Sequence, residues 1–91
     1  MESAKAQNAG DIMNKMSSDE RNGYIAGVVE GLAYSRWLRD RPNSDGMKCV
    51  YDWFYDSKDK EKLEMYDWFE RHPDKHVGPL MFVLIKKECG E

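Results

Sequence analysis

Long apolar stretches are missing from this 91-residue chain: the longest, Leu80 to Ile85, holds six residues, against the roughly 18 needed to cross a bilayer. Membrane insertion is therefore not expected. Positive charge is not in excess either, since 14 Lys and Arg face 17 Asp and Glu for a net charge of −3, which disfavours nucleic acid and other polyanions as partners. Residues for chemistry are scarce. The two histidines, His72 and His76, are four apart, but Pro73 between them breaks the helical register that would set them on one face, and a zinc site needs a third ligand. The chain has no Gly-x-Ser-x-Gly, no phosphate loop and no His-Glu-x-x-His. Acids such as Asp52 and Asp56 read as solvated surface rather than as a general acid and base. The expectation is a non-enzymatic protein with no catalytic residue, no metal and no cofactor.

What is present is enough to fold. Hydrophobic residues make up 41% and charged residues 34%, with three Trp, five Tyr and three Phe, a globular composition. The length fits one domain, and a core this small leaves stability marginal without further support. Cys49 and Cys89 are the obvious support: an even cysteine count in a small domain favours a bridge, and closing a loop of about forty residues contributes roughly 4 kcal/mol in the loop-entropy account. Two reduced, buried thiols in a cytosolic protein are the alternative that the residues leave open. Met1 to Gly10 shows no leader of the basic-then-apolar kind, so the expectation that goes with the bridge is a periplasmic or secreted protein whose signal peptide is not in the chain as given.

The pattern predicts an all-α fold, a compact bundle of about four helices. Residues 3 to 16, with Ala4, Ala6, Ala9, Ile12, Met13 and Met16, read as a short N-terminal helix that frays at its start, ahead of a single helical domain over 17 to 91. Ser17-x-x-Glu20 is a capping box for a long helix that Pro42 stops, with Tyr24, Ile25, Val28, Val29, Leu32, Trp37 and Leu38 as its buried stripe. Arg41 to Gly46 is turn chemistry. Residues 50 to 56 fit neither a period of 2 nor one of 3.6 and are left as a loop or a short helical turn. Ser57 caps a helix with Leu63, Tyr66, Phe69 and Met65 inward, ended by His72-Pro73. Leu80 to Ile85 has the length of a strand, but nothing in the chain would pair with it, so a helix with Pro79 in its first turn and Gly90 as its stop is expected.

Two surface features invite binding. Gly23, Gly27, Gly31 and Ser35 fall four apart on the long helix, a smooth face expected to pack closely against another helix, with reception of a partner as the alternative. The aromatic segment 51 to 55 is too dense to turn wholly inward. Tyr51, Asp52, Trp53, Tyr55 and Asp56, joined by Trp68 from the second copy of Tyr-Asp-Trp-Phe (51–54 and 66–69), are the candidate partner-binding residues: aromatic anchors rimmed by charge. For Trp53 and Phe54, plugging the core beside Cys49 is an equally good account.

Gly23-Tyr24-Ile25-Ala26-Gly27-Val28-Val29-Glu30-Gly31-Leu32, then Cys49, then Leu63 and Trp68-Phe69-x-x-His72-Pro73, and a closing apolar helix ending at Cys89 together resemble the immunity proteins of the Rap and Tai kind, over roughly residues 20 to 90. The chain departs from that pattern in carrying Val50 after the first cysteine, where members often have proline, and Arg21-Asn22 where many have a further cysteine. The resemblance implies a small all-α periplasmic protein, commonly dimeric, whose protein partner is a cell-wall amidase delivered by a type VI secretion system, and it adds weight to the Cys49–Cys89 pairing. An inhibitor that occludes such an amidase is the expected function. A periplasmic acid chaperone of the HdeA kind and a helical scaffold are the alternatives, and a homodimer is compatible with each.

Overall fold

The computed structural model describes residues 8–56 and 59–90, apart from the side chains of 59–61. Among these residues the chain forms five helices and no strand: α1 (Ala9–Asn14), α2 (Ser18–Asp40), α3 (Asp45–Tyr55), α4 (Asp59–Arg71) and α5 (Val77–Cys89). None of them is long and apolar enough to cross a membrane. Ala4 and Ala6 of the expected first helix, and the Ser57 cap, lie outside the described residues.

Helix α2 begins as its sequence requires. The Ser17 hydroxyl accepts from the Glu20 N–H at 3.2 Å, and the Glu20 carboxylate accepts from the Ser17 N–H at 2.9 Å, so two amides that the helix leaves unpaired are satisfied reciprocally. Those bonds hold the Glu20 carboxyl below its ordinary range, the backbone N–H contributing most. Ile25, Val29 and Ala33 form the fully buried stripe, flanked by half-buried Tyr24, Val28 and Leu32. Leu38, expected in that stripe, is instead 39% exposed: it lies about 140° around the helix axis from Ala33, five residues on at about 100° each.

Helix α1 is anchored at both ends. Asn8 caps it through its side chain, which accepts from Asp11 N–H at 2.8 Å, while the N–H groups of Ala9 and Gly10 donate to Lys75 O and Pro73 O, each at 2.8 Å. A side chain at Gly10 would sit 3.0 Å from the Pro73 carbonyl, so this glycine allows the close approach of α1 to the α4–α5 connection. At the other end the Arg21 Nε donates to Ile12 O at 3.0 Å. Ala9 and Ile12 are fully buried in the same core as the rest of the chain, with Val50, Phe69, Val77 and Met81.

The segment left as a loop or turn is α3. Its inward residues Met47, Val50, Tyr51 and Phe54 follow the i, i+3, i+4, i+7 rule of an amphipathic helix once Met47 is included. Helix α4 buries Met65 and Phe69, one turn apart, whereas Leu63, expected inward, is 68% exposed. Helix α5 ends at Gly90, which takes φ 72° and returns its N–H to Lys86 O at 2.9 Å, the stop expected of it.

Cys49 of α3 and Cys89 of α5 form a disulfide with Cα atoms 5.8 Å apart. Beside it, Arg36 of α2 donates through Nη1 to Gly90 O at 2.6 Å and through Nη2 to Cys89 O at 3.0 Å, meeting carbonyls that the end of α5 leaves unpaired. Its Nε has no hydrogen-bond partner but stands 3.6 Å from the Asp40 carboxylate, a Coulombic contact too long for a hydrogen bond. A side chain at Gly46 would collide with Arg36, so Gly46 is the glycine that lets α2 and α3 pack closely. The expected role of Gly23, Gly27 and Gly31 in helix packing is thereby corrected: all three are exposed, and a side chain at any of them would meet nothing within 4 Å.

Two stability predictions follow from this arrangement. The Cys49→Ser/Cys89→Ser double variant is expected to lose about 2–5 kcal/mol, read from urea denaturation against the oxidised parent. Gly27→Ala and Gly31→Ala are each expected to gain about 0.5–1 kcal/mol in the same assay, because alanine is the better helix former and finds open space, while Gly46→Ala loses about 1–3 kcal/mol by crowding Arg36.

Candidate functional site

Both copies of Tyr-Asp-Trp-Phe lie on helices, 51–54 on α3 and 66–69 on α4, and both turn the same way: the aspartate exposed, the tryptophan half-buried and the phenylalanine further inward. Trp53 and Trp68 therefore reach one groove of about 230 Å³, floored by Met65 and Leu84 and completed by Val83 of α5. Its rim carries both signs, with Glu64, Asp67 and Glu88 against Arg71 and Lys87. Trp68 is fixed in place. Its Nε1 donates to Leu80 O at 3.2 Å, His72 packs edge-on at 4.4 Å, and the Arg71 guanidinium stands 5.6 Å above the ring while paired with Asp67 at 3.1 Å.

The other candidates from 51 to 56 do not join this groove. On a helix, Tyr51 and Tyr55 share a side roughly opposite Trp53, and their rings stack at 6.0 Å. The Tyr55 hydroxyl donates to the Glu30 carboxylate of α2 at 2.9 Å, and Tyr66 donates to Asn22 Oδ1 at 3.3 Å, so these tyrosines tie α3 and α4 to α2. Asp52 and Asp56 are exposed between the two sides. Phe54 is half-buried against the core.

Val83, 48% exposed, was missed among the candidate site residues, as was Phe82, 52% exposed. The signal lay in the run Leu80 to Ile85 itself: six consecutive residues sweep more than a full turn of helix, so some must point outward. Among the described residues, no three of His, Cys, Asp and Glu come together as a metal site would require. The site's chemistry is that of recognition: two aromatic anchors of fixed orientation, an aliphatic neighbour and a rim able to meet charges of either sign.

Compared with protein families, with curated proteins and with solved structures, the chain matches none.

The Tyr55–Glu30 bond raises the Tyr55 phenol above its ordinary range, the hydrogen bond contributing most, because ionisation would remove the shared proton beside a carboxylate. The raised value means that the contact's contribution is complete below the ordinary tyrosine range and is lost as pH rises through the folded value. A pH titration of the Tyr55 ring by NMR is expected to show ionisation above the ordinary tyrosine value, and Glu30→Gln is expected to bring it back down.

Proposed function

We propose that this chain is a non-catalytic binding domain, an immunity-type protein that occludes a secreted cell-wall amidase. One observation carries the binding reading: Trp53 and Trp68, drawn from separate helices, line a single groove with Val83 beneath a rim of mixed charge. Half-exposed tryptophans held by their own hydrogen bonds and ring contacts lose little freedom when a partner covers them, which is the economy of an interface hot spot. The likeness of the 23–32 helix, Cys49, the 68–73 segment and Cys89 to immunity proteins of the Rap and Tai kind supports the amidase as the class of partner. The disulfide is compatible with an oxidising compartment outside the cytoplasm.

The test is to mix the oxidised protein with amidases encoded beside it and measure complex formation and residual cell-wall hydrolysis at neutral pH. A one-to-one complex that silences hydrolysis is expected. Trp53→Ala is expected to weaken it about 30-fold or more, equivalent to about 2 kcal/mol. Val83→Glu, at an exposed position, is expected to do the same with little change in melting temperature. Hydrolysis indifferent to the protein, with many unfolded clients protected only at low pH, would overturn the inhibitor reading in favour of an acid chaperone.

A further inference from the structure

The trough between α2 and the last turns of α5 shares no lining residue with the tryptophan groove and has a different chemistry. Its volume is about 450 Å³, within the range of ligand-accepting clefts. The floor is apolar: Leu32 and Ile85, with Phe82 standing half in solvent. The walls carry Arg36, Arg39 and Lys86 and no acid, in a chain whose acids outnumber its bases. Arg36 and Arg39 both contact Asp40, which leaves three cations facing one carboxylate and a net positive site on a net negative molecule.

We infer that this trough docks an extended segment of a partner protein in which Asp or Glu residues flank a bulky apolar side chain. The apolar side chain covers Phe82, Leu32 and Ile85, and the flanking carboxylates meet Arg39 and Lys86, Arg supplying a forked donor that fits a carboxylate and Lys a mobile point charge. Each half of the site needs the other half of that ligand. A bare anion would leave Phe82 in water, and an aliphatic chain without acids would leave the cations unanswered. An open trough with one side in solvent suits a peptide with a polar outer edge. The wall is also preorganised, because Arg36 is held by Cys89 O and Gly90 O and the disulfide fixes the end of α5, so little ordering is left to binding.

The probe is a display library of random nine-residue peptides panned on the oxidised chain, with enriched sequences then measured by fluorescence anisotropy against the parent and variants. Enrichment of peptides with acids beside Leu, Phe or Met is expected. Their affinity should fall about tenfold or more in Phe82→Ala and in Lys86→Glu, fall with added salt, and hold in Val83→Glu. Thermal unfolding of each variant, with Lys86→Gln as a milder charge removal, separates lost binding from lost fold. Enrichment without acids, or binding indifferent to Phe82→Ala and Lys86→Glu, overturns the inference. So does binding lost in Val83→Glu alone, which assigns the peptides to the tryptophan groove and leaves the amidase reading standing. Self-association abolished by Lys86→Glu, or sedimentation with phosphatidylglycerol vesicles abolished by it, would give the trough to a second copy or to a lipid surface and overturn the inference equally.

Discussion

Three helices meet at one guanidinium. Arg36 leaves α2, lies over Gly46 of α3 and reaches the final carbonyls of α5, while the Cys49–Cys89 bond joins the same two neighbours covalently. A cation at the end of a helix satisfies both the unpaired carbonyls and the negative end of the helix dipole, so the guanidinium and the disulfide reinforce a single junction. Removing the sulfur link leaves a charge-assisted clamp, and removing the clamp leaves a tether. Helix α4 has no such fixture there; it is held by Phe69 and Met65 in the core and by the bond from Trp68 to Leu80 O.

That junction explains how a chain of this size can keep large aromatic surfaces outside. With 41% hydrophobic residues and a core built on a dozen buried side chains, leaving Val83, Phe82 and parts of Trp53 and Trp68 uncovered costs burial that a small domain can ill spare. The crosslink offsets this by restricting the unfolded chain rather than by adding contacts. Stability and recognition are thus drawn from different parts of the sequence: a cysteine pair and an arginine for the first, half-exposed rings for the second.

Much of the architecture was legible because its signals are local. The Ser17–Glu20 reciprocal cap, the stop at Pro42, the positive φ at Gly90 and the pairing of Cys49 with Cys89 each depend on a few residues whose chemistry allows little else. Helix α3 was missed because Asp45-Gly46 resembles a turn; there the acid sits in a first helical turn, where the dipole favours it, and the glycine answers to Arg36, a residue ten positions away. The same contact explains why the regular stripe of Gly23, Gly27 and Gly31 misled while an isolated glycine mattered. The candidate site was half legible. Aromatic density flagged Trp53 and Trp68, but which azimuth of α3 faces α4 is decided by burying Val50 and Phe54, and that choice carries Tyr51 and Tyr55 to the far side.

The position of Cys89 has a consequence for the order in which this molecule matures. It is the last residue of the last helix, so during vectorial emergence from a ribosome or a translocation pore every helical residue is out before its thiol can meet Cys49. Until then α3 carries an unmated sulfhydryl on a half-buried helix, open to mixed disulfides with any passing thiol. Oxidation is therefore a proofreading step performed on an already assembled bundle, and only chains whose α5 has come to rest against α3 are sealed.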